Sequence, residues 1–270
     1  MFECNDNEEE YRKLVKKVLS KGEHRDDRTG VGTTAIFGAH ITQDLRKGFP
    51  ILSNKKMYLK TMRAELLWML SGSKNIQFLK DNNVKIWDEW ADPDGNVGPL
   101  YGYQWRNFGG AGVDQVAQLV KDIQSNPRGR RHLVTAWNPT DLPEMNLPPC
   151  HILWQVYVSN DGYLDLQYYQ RSADVFLGLP YDICMYSMLM HVICGVTGLK
   201  PRKLHIALGD THVYSNHLKQ VKEYLGRSHL IITAPQFKVP AKASIDDYVM
   251  EDLKLSNYNP QGPIKAPVAI

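Results

Sequence analysis

Cys150 is the side chain whose surroundings best suit covalent chemistry. It follows Leu147-Pro148-Pro149, a rigid run that does not continue a sheet ladder. It precedes Ile152 to Val158, which alternates in the strand manner, and Tyr163 to Arg171 alternates likewise. Ser159-Asn160-Asp161-Gly162 between them is turn chemistry, so the two stretches read as a β-hairpin. With Asn160-Asp161 as a two-residue loop, Cys150 lies opposite Arg171. With Asp161-Gly162 as the loop, Arg171 faces Ile152, a diagonal neighbour of Cys150. In either register a guanidinium reaches the thiol. The thiolate is the nucleophile, and a nearby cation lowers a thiol pKa. The same spacing also fits a structural thiol beside a salt-bridged arginine. A Cys150–His151 hydrolase dyad is disfavoured, because neighbours on a strand point to opposite faces.

The other cysteines are Cys4, Cys184 and Cys194. No C-x-x-C pair occurs, which disfavours a zinc ribbon or dithiol redox site. In a reducing compartment all four are free thiols. Cys184 and Cys194 sit in an apolar run and read as small buried hydrophobes. The chain has 270 residues, 43% hydrophobic and 23% charged, as a soluble globular protein does. A net charge of +3 does not suggest a nucleic-acid binder but leaves a local basic pocket open. No run of about 18 apolar residues is present, so no membrane span is expected. The polar, acidic stretch Met1 to Glu10 does not read as a signal peptide, and a cytoplasmic location is expected.

The elements that position these residues follow from periodicity. Glu8 to Lys21 carries Tyr11, Leu14, Val15, Val18 and Leu19 at helical spacing, with Gly22 as its stop. Lys60 to Leu70 is a second helix, with Met62, Leu66 and Met69 on one face and Glu65 at its margin. Asp114 to Ser125 is a third. Pro180 to Cys194 is mostly apolar, with Pro180 suited to a first turn and Gly195 to the end. His205 to Leu208 and Leu230 to Ile232 read as further strands. The mixture points to an α/β (α+β) fold around one sheet and a single domain over 1–270. Gly109-Gly110-Ala111-Gly112 follows no clear strand, so it is not read as a dinucleotide loop; Lys200-Pro201-Arg202-Lys203 is read as a solvated turn.

Many motifs in order resemble those of thymidylate synthases. Pro148-Pro149-Cys150-His151 and Gln170-Arg171-Ser172-Ala173-Asp174-Val175-Phe176-Leu177-Gly178-Leu179-Pro180 carry the closest likeness. The resemblance extends through Asp27-Arg28-Thr29-Gly30, Glu65-Leu66-Leu67-Trp68 and Ile86-Trp87-Asp88-Glu89-Trp90. Tyr101-Gly102, Arg130-Arg131, Gly209-Asp210-Thr211-His212-Val213-Tyr214 and the terminal Ala266-Pro267-Val268-Ala269-Ile270 complete it. It covers nearly the whole chain. It implies a homodimer with a large twisted mixed sheet, packed by helices, at the dimer interface. It also implies a folate co-substrate, 5,10-methylenetetrahydrofolate, with no metal, and no nucleic-acid or membrane partner.

The resemblance implies roles. Cys150 resembles the nucleophile that adds to C6 of a pyrimidine, making C5 a carbon nucleophile toward the methylene iminium of the folate. Glu65 resembles the carboxylate that moves protons through water, and Tyr101 the tyrosine that helps remove the C5 proton. Arg28, Arg130, Arg131, Arg171 and Ser172 resemble the phosphate site, where a planar guanidinium makes paired bonds. Arg130 and Arg131 match the pair that reaches in from the partner subunit. His212 and Tyr214 resemble sugar contacts, and Gln170, Asp174 and Asp182 also fall on the nucleotide side. Lys55, Trp87, Asp174, Gly178 and Ala269 of the closing tail resemble the folate side. Taken alone, Glu65 is a common solvated glutamate, the arginines a basic loop, and His212 and Tyr214 strand or turn residues.

One position departs from the family. Where thymidylate synthases carry a base-reading asparagine, this chain has Asp182. An ionised carboxylate only accepts hydrogen bonds. Against uracil O4 it sets two acceptors together; against cytosine it accepts from N4, and from N3 once that nitrogen is protonated. Such a site rejects the wrong partner by roughly 10⁴-fold. The deoxycytidylate hydroxymethylases resemble this chain in carrying aspartate there. Two other readings stay open: a protonated Asp182 mimics asparagine, or Asp182 simply favours the start of the helix near Pro180. Trp87, Leu147 and the tail resemble methylating members. The expectation is methylation of dCMP, with dUMP methylation or dCMP hydroxymethylation next, and a non-catalytic nucleotide or RNA binder as the reading from another class.

Overall fold

A computed structural model of the protein describes residues 6–228 and 233–268. Helix α1 (Asp6–Lys21) buries Tyr11, Leu14, Val15 and Val18 along one stripe, and Gly22 N–H closes it on the Val18 carbonyl at 2.9 Å. Strands β1 (Glu23–Arg25) and β2 (Thr33–Asp44) follow, then α2 (Leu59–Ser71) and the short α3 (Gln77–Asp81). Helix α4 (Gly102–Arg106) leads into α5 (Gln115–Ser125), whose Asp114 caps the first turn by accepting from Ala117 N–H at 2.9 Å. Strand β3 (Leu133–Thr135) precedes the hairpin of β4 (His151–Val158) and β5 (Tyr163–Asp174). Helix α6 (Gly178–Thr197) connects it to β6 (Lys200–Tyr214), and α7 (Leu218–Gly226), β7 (Gln236–Lys238) and β8 (Lys254–Ser256) complete the described chain. The helices expected from Glu8, Lys60 and Asp114 are present within a residue or two of their expected bounds.

Among the described residues the main sheet runs β1-β2-β6-β5-β4-β3, with β5 parallel to β6 and the other pairs antiparallel. This is a large mixed sheet packed by helices, as expected. Buried Trp154, Val156, Leu166, Tyr168, Leu204 and Ile206 alternate with Gln155, Tyr157, Gln167 and His205 on the opposite face. Tyr168 on the buried face stacks on Tyr186 of α6, with centroids 4.1 Å apart. The opposite face exposes Tyr157 at 63%.

The hairpin register matches neither expected loop. Ser159 N–H pairs with the Tyr163 carbonyl at 2.8 Å, so the loop has three residues, 160–162. That alone would misalign Cys150 and Arg171. A bulge at Ile152 restores the alignment: Leu153 pairs with Tyr169, but His151 pairs with Gln170. Arg171 N–H then reaches the Cys150 carbonyl at 2.8 Å. The two residues are opposite each other, through one loop residue and one bulge residue that the alternation did not reveal.

Two other expectations need correction. Helix α6 passes through Gly195 and stops at Gly198, which adopts φ 74°. Gly195 is needed inside the helix because a Cβ there would run into the Tyr248 hydroxyl. Lys200-Pro201-Arg202-Lys203 is no turn but the start of β6, which is far longer than His205 to Leu208. Arg202 is held there by two hydrogen bonds to Asp165, at 2.9 and 2.7 Å. Gly109-Gly110-Ala111-Gly112 is a turn between α4 and α5 closed by a Phe108–Val113 bridge. The strand expected at Leu230 to Ile232, like Cys4 and Ala269, lies outside the described residues. Helix α6 has the length and hydropathy of a membrane span, yet 78% of that window is buried, as in a core helix.

Candidate active site

A cavity of about 520 Å³ opens where α2, the edge of the β4–β5 hairpin, the start of α6 and the end of β6 converge. Glu65, Trp87, Tyr101, Cys150, Gln170, Ser172, Asp174, Gly178, Asp182, His212 and Tyr214 line it. These residues come from five distant parts of the chain, and each was singled out in the sequence. Lys55, Arg28, Arg130, Arg131 and Arg171 do not line it. Val268, next to Ala269, does.

Cys150 is held at both backbone ends. Its N–H donates to the Tyr101 hydroxyl at 2.8 Å, and its carbonyl accepts from Arg171 N–H. The Arg171 guanidinium binds the Pro149 and Pro148 carbonyls at 2.8 and 2.9 Å, so it clamps the segment leading into the strand. Burial pushes the Cys150 thiol up; the Arg171 charge pulls it down and Asp182 pushes it up. The cation is where the sequence put it, but burial outweighs it. The expected lowering of the thiol pKa is overturned, because desolvation of a thiolate exceeds the pull of one guanidinium already shared with two carbonyls.

Tyr101 adopts φ 34° and ψ −101°, a conformation that non-glycine residues rarely take. The next residue explains it. A Cβ on Gly102 would run into the Met69 carbonyl, so the start of α4 lies against the end of α2. The chain must turn sharply at Tyr101, and the turn delivers its hydroxyl to Cys150. The Tyr101 ring stacks on His151, with centroids 4.3 Å apart.

Glu65 Oε1 accepts from Trp87 Nε1 at 2.9 Å. Burial raises its pKa to about 7, with Trp87 opposing the rise. A carboxyl in that range exchanges protons near neutral pH. Asp182 Oδ2 accepts from Gln170 Nε2 at 2.9 Å, and the same amide nitrogen donates to the Ser172 carbonyl at 3.1 Å. Burial and then the Glu65 charge raise Asp182 to about 8, against the Gln170 hydrogen bond. His151 is neutral, because burial lowers its pKa to about 3. Its Nδ1 lies 2.9 Å from the Tyr186 hydroxyl, and its Nε2 faces Asp182 Oδ1 at 3.8 Å.

The anion side is less assembled. Ser172 lines the cavity. Arg28 is exposed on a loop that Asp27 closes by accepting from Gly32 N–H at 2.8 Å, and its charge acts on Tyr214 in the cavity wall. Arg130 and Arg131 are exposed between α5 and β3, and neither forms an ion pair among the described residues. His212 Nδ1 lies 2.9 Å from Asp210 Oδ1. Asp174 Oδ1 accepts from Phe176 and Leu177 N–H at 2.9 and 3.2 Å, fixing the turn into α6.

On the other flank Ile86, Trp87, Trp90, Leu147 and Tyr181 form an apolar wall that suits a flat heteroaromatic ring. A Cβ on Gly178 would lie 3.8 Å from Asp174 Cβ and 3.9 Å from Asp182 Oδ2, so the glycine keeps that corner open. Both features fit a bound pterin. Lys55 is turned away from the opening: its Nζ donates to the Phe176 carbonyl at 2.5 Å. Burial lowers its pKa to about 8. Among the described residues, no three His, Cys, Asp or Glu side chains cluster as metal ligands.

Sequence reasoning gave no role to His151 or Tyr186, and it passed over Tyr58, Thr61 and Tyr181 in the lining. Tyr186 lies four residues after Asp182 on α6, and that spacing puts two side chains on one helix face. The arrangement unites a positioned thiol, two carboxyls that titrate near neutrality, a tyrosine hydroxyl and an aromatic wall. A family model described as thymidylate synthase matches residues 9–270.

Proposed function

Since the chain belongs to the thymidylate synthase family, we propose that it methylates C5 of dCMP, yielding 5-methyl-dCMP and dihydrofolate. Membership brings folate-dependent one-carbon transfer to C5 of a pyrimidine nucleotide. The base and the product are our reading. Asp182 carries it: a buried carboxyl bound to Gln170, on the cavity wall, at the position where the family reads the base.

With its pKa near 8, Asp182 is a neutral acid at pH 7. It donates to cytosine N3 while its other oxygen accepts from the N4 amino group. Cys150 Sγ forms a bond to C6 as the thiol passes its proton to solvent water. The ring electrons move toward N3, which takes the Asp182 proton. Asp182 becomes the ionised partner of a protonated N3, so the same two hydrogen bonds survive the step. The resulting enamine makes C5 nucleophilic. Tyr101, bonded to the Cys150 N–H, helps remove the C5 proton, and Glu65 serves as the proton exchanger on the folate side.

Arg28, Arg171 and Ser172 hold the phosphate, with Arg130 and Arg131 of a second subunit completing the site. His212 and Tyr214 take the sugar. Trp87, Leu147, Gly178, Asp174 and the tail through Ala269 form the folate side, with Lys55 behind it, bonded to the Phe176 carbonyl. When bound, 5,10-methylenetetrahydrofolate supplies both the carbon and the hydride. Trp87, Leu147 and Val268 exclude water, which favours hydride transfer over hydroxymethylation. The outward sheet face with exposed Tyr157 supports a homodimer. We read residues 1–270 as one catalytic domain acting in the cytoplasm.

The pKa of Asp182 also favours a second reading, dTMP synthesis. A neutral carboxyl donates to uracil O4 and accepts from N3–H, as an amide does. Incubation with each nucleotide and 5,10-methylenetetrahydrofolate, with products identified by mass, separates the readings. We expect 5-methyl-dCMP, and none from a Cys150→Ala variant. Turnover of dUMP alone overturns the cytosine assignment, and 5-hydroxymethyl-dCMP overturns methylation.

A further inference from the structure

Behind the base-reading carboxyl lies a buried chain of side chains with no role in the reaction described above. His151 is 4% exposed and neutral. Its ring is stacked on Tyr101 and edge-on to Tyr186, with Nδ1 on the Tyr186 hydroxyl at 2.9 Å and Nε2 toward Asp182 Oδ1 at 3.8 Å. A neutral imidazole carries one proton, on one nitrogen or the other. The two tautomers have opposite consequences for Asp182.

With the proton on Nδ1, Nε2 is an acceptor. It competes with the base for the acid proton of Asp182. With the proton on Nε2, the ring presents a donor to Oδ1. The Asp182 proton then has no acceptor on the His151 side and stays available to cytosine N3. The second arrangement serves the proton transfer proposed above, and the inference rests on that reading.

Tyr186 decides between them. Its hydroxyl is fully buried in α6, and His151 Nδ1 is its sole hydrogen-bond partner among the described residues. If the hydroxyl accepted from Nδ1–H, its own proton would be buried without an acceptor, and such groups are rare in folded proteins. If it donates to Nδ1, its own proton is placed, and the Nε2–H is left facing Asp182 Oδ1 at 3.8 Å at the cavity wall. We infer that Tyr186 is a positioning residue: it donates to His151 Nδ1, fixes the Nε2–H tautomer, and so reserves the Asp182 proton for the pyrimidine.

The other groups around the carboxyl do not replace this function. Gln170 on β5 already donates to Oδ2. Glu65 on α2 and Asp174 at the end of β5 act on Asp182 through charge, as repulsion. Cys150, Tyr101 and Tyr168 are nearby titratable groups, but none has a hydrogen bond to Asp182. His151 is the neighbour whose donor or acceptor character can be switched.

The test is a Tyr186→Phe variant of the full chain, which keeps the ring stacked on Tyr168. Nitrogen-15 NMR of histidine-labelled protein, with His151 assigned by loss of its signals in His151→Gln, reads the tautomer directly. We expect Nε2–H in the unaltered protein and an appreciable Nδ1–H population in Tyr186→Phe. With Nε2 then accepting from Asp182, kcat/KM for dCMP should fall about tenfold. The alkaline limb of its pH profile should move to higher pH, because an added acceptor stabilises the acid form. An Nδ1–H ring in the unaltered protein, or an unchanged tautomer in the variant, overturns the inference. So does lower activity with an unmoved limb, which marks a purely structural role. The tautomer measurement needs no substrate. An enzyme that converts dUMP and not dCMP therefore defeats the cytosine assignment while leaving the tautomer to be judged on its own.

Discussion

Gln170 donates its amide to Asp182 Oδ2 at 2.9 Å, joining β5 to α6 at the wall of the cavity. On the proposed reading, the strand that carries Arg171 and Ser172 toward the phosphate thus also holds the carboxyl that reads the base. Replacing Asp182 by Asn keeps this hydrogen bond, because the Asn carbonyl still accepts from Gln170. It fixes the remaining edge as a donor that suits O4. We expect Asp182→Asn to invert the preference from dCMP to dUMP, changing the ratio of kcat/KM values by roughly 10²–10⁴. Retention of the dCMP preference in competition assays would show that other groups choose the base.

The same carboxyl sets a pH dependence. Burial raises the Asp182 pKa to about 8, and on the proposed reading its proton is the one given to N3. The kcat/KM for dCMP should therefore decline above about pH 8. The limb should be absent from the residual activity of Asp182→Asn. A profile still rising past pH 9 would mean that the proton comes from elsewhere.

Glu65 has a stability signature. Its pKa is raised by burial from 4.5 to about 7, so the folded state prefers the protonated acid. Its contribution is fully present below pH 4.5 and is lost as pH rises through 7. Relative to Glu65→Gln, the unaltered protein should lose up to about 3 kcal/mol of stability across that window. Paired urea titrations at pH 4.5 and 8 would measure it. A constant difference between the two proteins would show that Glu65 does not titrate as a buried acid.

The turn at Tyr101 is the most constrained backbone in the site. A Gly102→Ala substitution pushes a methyl into the Met69 carbonyl and separates α2 from α4. We expect a loss of about 2–4 kcal/mol. The Tyr101 hydroxyl should also leave the Cys150 N–H, lowering kcat even where the protein remains folded. Full activity in a folded Gly102→Ala protein would sever the link between this glycine and the thiol.

Arg130 and Arg131 give a test of subunit sharing. Cys150→Ala homodimers should be inactive, and so should Arg130→Ala/Arg131→Ala homodimers. After unfolding together and refolding in equal amounts, heterodimers contain one site with both defects and one with neither. Roughly a quarter of wild-type activity should return. No recovery, with heterodimers present by mass spectrometry, would place the two arginines at their own subunit's cavity or outside any site.

Much of the site was legible only through the resemblance of its motifs to a known family; physical reasoning by itself exposed the hairpin, through alternation. Cys150 and Arg171 could be set opposite or diagonal to each other from spacing alone. The route to that pairing could not. A three-residue loop and a bulge at Ile152 compensate each other; the loop lies outside the alternating stretch, and the bulge is masked by the unbroken apolar run Ile152-Leu153-Trp154. The stop of α6 was misplaced because Gly195 looks like a terminator, whereas it makes room for Tyr248 from a distant segment. Lys200 to Lys203 looked solvated because the Asp165 partner of Arg202 lies on another strand. Strand β2 was not anticipated, although it forms the long antiparallel pairing with β6. The direction of the Cys150 pKa also required three dimensions, since burial is invisible to spacing. So did the contact between His151 and Tyr186, which unites the start of β4 with the middle of α6.

The two halves of the cavity close over very different lengths of chain. Cys150 and Arg171 meet through a hairpin, whereas Asp174 meets His212 only after α6 has crossed back to lay β6 parallel to β5. Local hairpins form in microseconds, while parallel pairings with large sequence separation are slow. During refolding the thiol should become shielded from alkylating reagents before the protein regains nucleotide affinity. The interval between those two events is the lifetime of an intermediate that has its nucleophile in place and no complete cavity around it.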